Sequence, residues 1–324
     1  MLDALGRDIR YLRISVIDRC NLRCRYCMPE EGVEWMDHSA ILTYEQIVRL
    51  VGLFAALGVE KVRLTGGEPL VRKGLEHLVR AIKEVPGIRR VRITTNGLLL
   101  AEQLPGLLAA GLDGVNLSLD TLDRVQYQAL TRRDGLDQAL DGLNAARAAP
   151  GLTVKVNCVP SGENDNQLVP LAALAKDRKL SVRFIELIPI GLGSTLPRRT
   201  EAEVLARLEA AFGPALPCPQ EEGGGPSRYV TFQGFRGQVG FISAVSHRFC
   251  SSCDRVRLTA AGFLKTCLQY DCGVDLKALL EQGADDAALT RAIREAIARK
   301  PEGHHFGQAP TGRDEGRNMN QIGG

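Results

Sequence analysis

Six short runs rich in Val, Ile and Leu constrain the fold of this chain more than any other feature. They lie at residues 12–17, 61–65, 91–95, 114–119, 153–159 and 182–187. Each has the length and apolar character of a strand covered on both faces. Helix-length amphipathic stretches alternate with them, at 43–57, 74–84, 101–110, 136–148, 166–177 and 200–212. Thr43 is expected as an N-cap and Gly58 as the residue that ends the first helix. Strand-then-helix units in series imply a parallel sheet with right-handed crossovers. Such a sheet either curls into a partial barrel or lies open and doubly wound. In both cases ligands collect at the carboxyl ends of the strands.

The alternation stops near residue 214. Residues 214–226 carry Pro, Gly and consecutive Glu and read as a linker. Residues 228–232 and 238–243 read as an antiparallel hairpin, followed by a cysteine-rich segment and a helix near 285–299. His304-His305 reads as a surface or capping pair. The polar, Gly-rich stretch 307–324 reads as a frayed end on composition alone. The chain thus divides into an α/β unit over 1–213 and an extension over 214–324.

Cys20, Cys24 and Cys27 follow the first strand with the spacing C-x3-C-x2-C. Three thiolates in so short a stretch can converge on one inorganic centre. A four-iron cubane held by three of them keeps one iron open to a small molecule. A zinc knuckle completed by a distant His or Cys is the alternative, although zinc usually draws cysteine pairs from two separate knuckles. Cys250, Cys253 and Cys267 form a second set, C-x2-C-x13-C, enclosing Asp254-Arg255-Val256-Arg257-Leu258. Cys272 is near enough in sequence to be a fourth ligand, which would make a closed cluster or a zinc ribbon.

The formal net charge of only +3 argues against a protein that coats nucleic acid, yet leaves room for one local basic pocket. Arg13, Arg63 and Lys155 lie inside otherwise apolar strands, and Arg183 opens another. A lone buried charge is costly. Each therefore either meets a carboxylate such as Glu68, Asp120 or Glu186, or joins the others in facing a polyanion. Arginine forks suit phosphate oxygens. No phosphate-binding loop of the G-x4-G-K-[ST] form is present. No uninterrupted apolar run of about 18 residues occurs, and the first residues carry no apolar leader. No membrane partner is expected, and the compartment is expected to be the cytoplasm, where nine cysteines are poor candidates for disulfides.

Taken with the loops after the next three strands, the first triplet resembles the signature of the radical S-adenosylmethionine (SAM) superfamily. Gly66-Gly67-Glu68-Pro69 lies after the second strand, Thr94-Thr95-Asn96-Gly97 after the third and Ser118-Leu119-Asp120 after the fourth. The resemblance implies a partial (β/α)6 barrel with a C-terminal cluster-binding extension. It implies a 4Fe–4S cluster on Cys20, Cys24 and Cys27, and SAM held by Tyr26, Gly66, Gly67, Glu68, Ser118 and the position of Ile188. The family often has methionine at that last position.

Adding the second set, the chain from Tyr11 to Gly323-Gly324 is similar to the GTP 3′,8-cyclase family of molybdenum-cofactor biosynthesis. This implies a second 4Fe–4S cluster on Cys250, Cys253 and Cys267, with Cys272 a free thiol. It implies GTP on Arg13, Arg63, Thr94, Lys155, Arg255 and Arg257; Arg183 joins this set as a further cation in a strand. The resemblance also implies that a Gly-Gly end enters the active site, which makes Arg13, Arg255, Arg257, Gly323 and Gly324 the expected catalytic set. The implied product is 3′,8-cyclo-7,8-dihydro-GTP. An electron donor, a downstream cyclic pyranopterin monophosphate synthase and a homodimer complete the expected partners. A peptide-modifying twin-cluster enzyme and a non-enzymatic electron carrier or zinc ribbon are the alternatives.

Overall fold

The computed structural model describes residues 1–218, 225–308, 312 and 314–323. All six expected strands form: β1 (Tyr11–Ser15), β2 (Lys61–Thr65), β3 (Arg90–Thr95), β4 (Gly114–Ser118), β5 (Thr153–Cys158) and β6 (Ser181–Ile185). They pair in parallel in sequence order. The helices between them are α1 (Tyr44–Ala56), α2 (Leu75–Lys83), α3 (Leu100–Ala109), α4 (Arg124–Thr131), α5 (Leu136–Ala148) and α6 (Leu168–Ala173), with α7 (Glu201–Phe212) after β6. Thr43 caps α1 in a reciprocal box with Gln46, and Gly58 follows its C-terminus at φ +98°. Sequence reading missed α4. The Asp123 side chain caps it and Arg132, in the left-handed region, ends it, so it occupies what composition suggests is a loop.

The strands are not apolar on both faces. Leu12, Ile14, Val62, Leu64, Val91 and Ile93 point outward into one continuous core against the helices. Alternate positions, Arg13, Arg63, Arg92 and Asn116 among them, face an inner cavity. The inner wall is polar because it borders that cavity instead of a packed interior.

The sheet continues past six strands at both edges. After β7 (Leu216–Pro217), β8 (Arg228–Thr231) and β9 (Gln238–Ile242) form the expected hairpin, and β9 also pairs in parallel with β6. At the other edge β10 (Arg255–Leu258) pairs in parallel with β1, and β11 (Phe263–Lys265) and β12 (Gly273–Asp275) add to it. The result is one twelve-stranded sheet of order β12-β11-β10-β1-β2-β3-β4-β5-β6-β9-β8-β7. It is a partial barrel whose edges are supplied by the C-terminal segment. The helices α8 (Leu276–Glu281) and α9 (Asp286–Ala298) pack on the same core.

The segment His38–Ala56 is long and apolar enough to cross a membrane by length and composition. Its helical part, α1, instead buries Ile47, Leu50, Val51 and Phe54 in the core. His304 departs from its expected surface position: it is buried, with its ring 4.5 Å from that of Phe306. The tail is also ordered where described. The short helix α10 (Met319–Ile322) packs Ile322 against Ile190 and Phe306 at the barrel mouth.

Candidate active site

A cavity of about 510 Å³ runs the length of the inner wall. At its upper end, beyond the carboxyl ends of the strands, stand Cys20, Cys24 and Cys27. The loop that carries them follows β1 and turns back on itself, the Cys27 amide donating to the Cys24 carbonyl at 2.9 Å. The Leu22 amide and the Asn96 Nδ2 donate to the Cys20 sulfur at 3.4 and 3.9 Å. Such N–H···S contacts are how proteins orient and tune cluster thiolates. Burial and the neighbouring Cys20 push the Cys27 thiol up to about 12, which favours its protonated form. A bound metal centre supplies the positive charge that deprotonation needs. Among the described residues, no three Cys, His, Asp or Glu side chains close on a single metal ion. Three thiolate donors carried on one short loop suit a cubane, whose irons each take one thiolate.

The Gly-Gly-Glu-Pro loop leans against this turn. A Cβ on Gly66 would meet the Ile17 carbonyl at 2.5 Å, and one on Gly67 would collide with the Arg19 carbonyl. Glu68 is fully buried and accepts from Thr95 Oγ1 at 2.7 Å, the Asn96 amide at 2.7 Å and the Leu70 amide at 3.0 Å. Burial nevertheless raises its carboxyl to about 7. Asp120 is raised to about 6 by burial and accepts from Tyr26 Oη at 2.9 Å. A buried carboxylate, Glu68, and a half-buried one, Asp120, thus line one polar chamber, suited to a cationic ligand. Ser118 and Ile188 line the same chamber.

The middle of the wall carries the cations. Arg13, Arg63, Thr94, Lys155, Arg183, Arg255 and Arg257 all line the cavity. Arg63 donates to Thr94 Oγ1 at 3.4 Å, Arg183 to Asn157 Oδ1 at 2.6 Å and Lys155 to Tyr229 Oη at 3.1 Å. Glu68, Asp120 and Glu186 are held by other groups, Glu186 by the Val245 and Ser246 amides at 2.8 Å. These carboxylates therefore do not neutralise Arg63 or Arg183, and the carboxylate-pairing reading fails for both. Burial and mutual repulsion depress the guanidiniums: Arg257, beside Arg255, and Arg183, beside Arg63, each fall to about 10.

The second triplet sits at the opposite mouth. β10 is parallel to β1, so Cys253, just before β10, lies at the amino ends of the strands. Cys20, in the loop after β1, lies beyond the carboxyl ends, and the five-residue strand between the two levels spans about 16 Å. Cys250, Cys253 and Cys267 stand behind the cavity wall, which Asp254, Arg255 and Leu268 complete beside them. Burial pushes the Cys253 thiol up, but Lys300 and Arg255 outweigh it and hold the thiol below its ordinary range. Cys272 contacts Thr266 Oγ1 at 3.3 Å. Sequence reading missed Arg7. Buried against Asp3 at 2.6 Å, it donates to the carbonyls of Cys250 and Glu302 at 3.0 Å and of Pro301 at 2.8 Å, bracing the second triplet.

The tail closes the upper mouth. Arg257 Nη1 donates to the Gly323 carbonyl at 2.7 Å, and Asn320 Nδ2 to the Asp18 carbonyl at 3.3 Å. Gly323 has φ +78°, and a Cβ there would stand 3.1 Å from that of Ser15. Gly324 lies outside the described residues.

Residues 14–175 match the Radical SAM superfamily, and residues 180–306 match Molybdenum Cofactor Synthesis C. The GTP 3′,8-cyclase of Pelotomaculum thermopropionicum is 47% identical over the full length of both chains. That of Heliobacterium modesticaldum is 46% identical, again over both full lengths. The chain belongs to the GTP 3′,8-cyclase family. The Geobacter sulfurreducens member is 43% identical over all of this chain and 99% of its own. Family membership brings SAM and 4Fe–4S clusters as cofactors, and both cysteine triplets fit them. Among solved structures, Streptococcus suis SuiB bound to its precursor peptide SuiA has the same fold. It superposes with TM-score 0.58 at 15% identity, over 92% of this chain and 66% of that one.

Proposed function

We propose that this protein converts GTP into 3′,8-cyclo-7,8-dihydro-GTP, the cyclisation that opens molybdenum-cofactor biosynthesis. The observation that carries the reading is the arrangement around the cavity: one cysteine triplet lining its upper end, a second beside Asp254 and Arg255 at the amino ends of the strands, and an arginine-lined wall between them. Cys20, Cys24 and Cys27 hold one 4Fe–4S cluster, and Cys250, Cys253 and Cys267 hold the other. When bound, these clusters and SAM supply one-electron reduction, hydrogen abstraction from the ribose and an open iron for the base.

The protein's own residues bind, orient and shield. Glu68, whose hydrogen bonds favour its ionised form against burial, attracts the SAM ammonium, with Gly66 and Gly67 keeping the backbone close. Tyr26, Ser118 and the backbone at Ile188 border the rest of SAM. A backbone contact at Ile188 survives the absence of methionine, whereas a sulfur contact does not. Arg13, Arg63, Lys155, Arg183, Arg255 and Arg257, with Thr94, take the triphosphate. Gly323, docked on Arg257, caps the chamber and excludes water.

Residues 1–213 serve SAM and the first cluster, and residues 214–324 serve the second cluster and the base. A one-electron donor supplies the reducing equivalents, a cyclic pyranopterin monophosphate synthase consumes the product, and the enzyme works in the cytoplasm, as a homodimer. The test is anaerobic reconstitution followed by incubation with SAM, reductant and each common nucleoside triphosphate. Cyclised product is expected from GTP alone. SAM cleavage with no nucleotide product would sink the reading.

A further inference from the structure

Strand register sets four arginines side by side at one level of the inner wall. Arg257 of β10 is level with Arg13 of β1, Arg13 with Arg63 of β2, and Arg63 with Arg92 of β3. All four line the cavity. The first three belong to the triphosphate set; Arg92 has no assigned role. Continuing the row, the next position is Gly114 of β4. A Cβ on Gly114 would lie 3.3 Å from Arg92 Nε, so the absent side chain makes the space in which Arg92 lies. A larger residue on β4 would displace that guanidinium from the wall.

The row also has a direction. Its β10 end adjoins Cys253 and the second triplet, where the base is held. Neighbouring strands lie about 4.8 Å apart, so the row extends about 14 Å from Arg257 to Arg92. A nucleoside triphosphate carries its base at one end and its charge along the other. With the base beside β10, the phosphates run along the row, and the last of them reaches the β2–β3 end. We propose that Arg92, together with Arg63, binds the terminal phosphate and is the residue that distinguishes a nucleoside triphosphate from the di- and monophosphate. This rests on the reading of GTP as substrate and names the part of the wall that counts its phosphates.

Two members of the row have partners within the cavity. Arg63 donates to Thr94 and Arg257 to the Gly323 carbonyl. Glu60 pairs with Arg10 and Arg89, and Asp254 with Arg255. Glu68, Asp120 and Glu186 are held by amide and hydroxyl donors. Burial and the neighbouring Arg257 push the Arg13 guanidinium well down. Guanidiniums stacked at one level repel one another, and a polyanion laid along them removes that penalty.

The experiment is calorimetric binding of GTP, GDP and GMP, under anaerobic conditions, to the reconstituted protein and its Arg92→Gln variant. GTP affinity is expected to fall about tenfold or more, while GDP and GMP stay within about twofold. Arg92→Lys keeps the charge and stem but not the fork, and its GTP preference should fall between the two; it also guards against a misfolded Gln variant. Iron content and SAM cleavage report the integrity of each protein. Unchanged GTP affinity in Arg92→Gln, or equal losses for all three nucleotides, overturns the assignment. Wild-type protein that binds none of the three overturns the GTP reading itself, and the assignment with it.

Discussion

Arg257 joins the substrate wall to the tail, which makes it the most informative single side chain. It lines the cavity beside Arg255 and also holds the Gly323 carbonyl. Arg257→Ala is expected to weaken GTP binding by about 1.5–3 kcal/mol, the range for hydrogen bonds to charged groups, with iron content intact. Titration of GTP against the variant, alongside iron analysis, checks this. Gly323→Ala attacks the same contact from the other side. Its left-handed φ of +78° and its closeness to Ser15 make any Cβ unfavourable. The expected outcome is sharply reduced cyclised product, with clusters and GTP binding retained and SAM cleavage at least partly so. At this scale the sequence was legible where chemistry needs a rare residue type. Three cysteines in one short turn and a Gly-Gly-Glu-Pro loop can be read without coordinates. Arg7 cannot, because its partners at Cys250 and Pro301 are set by tertiary folding, more than 240 residues away.

Among the secondary-structure elements, the tail and the outer strands depart most from expectation. The tail is polar and Gly-rich, so composition favours fraying. It is held instead by side chains that pattern rules do not count. Lys265 of β11 is wholly buried and paired with Glu315, which Arg317 also grips at 2.8 Å. Burial alone would raise the Glu315 carboxyl; hydrogen bonds from Arg317 and Lys265 outweigh it and hold the carboxyl down at about 2, against an ordinary value of 4.5. A depressed acid stabilises the folded state above its unfolded pKa and loses that contribution as pH falls. Docking of the tail is therefore expected to weaken from about pH 4.5 toward pH 2. Glu315→Ala leaves Lys265 buried without this partner and should cost about 3 kcal/mol or more of local stability. Amide exchange across residues 314–323, corrected for its intrinsic pH dependence, reads both effects. At neutral pH the variant should exchange about a hundredfold faster, and its tail should lack the acid window. A tail equally protected in both proteins would show that Ile322 and Phe306 suffice to hold it. The strand β9 was visible as half of a hairpin and β10 was not read as a strand, and neither was visible as an addition to a barrel edge. Local pattern does not reveal which distant edge a strand will join.

The molecule as a whole sets two cysteine triplets toward opposite strand ends of one wall, because β10 runs parallel to β1 while one triplet follows β1 and Cys253 precedes β10. Two four-iron clusters predict about eight irons per chain after anaerobic reconstitution. Cys24→Ala should remove about half of them and abolish SAM cleavage, while Cys253→Ser should remove the other half and weaken GTP binding. Stoichiometric zinc at the second set would contradict that assignment. In the proposed function the wall between the triplets brings the ribose of GTP up to SAM, so the fate of one ribose hydrogen is decisive. Reconstituted protein is given SAM, a strong one-electron reductant and GTP deuterated at C3′. The predicted result is transfer of that deuterium into 5′-deoxyadenosine, accompanied by cyclised product. Formation of 5′-deoxyadenosine free of deuterium, at the same rate with and without GTP, would contradict it.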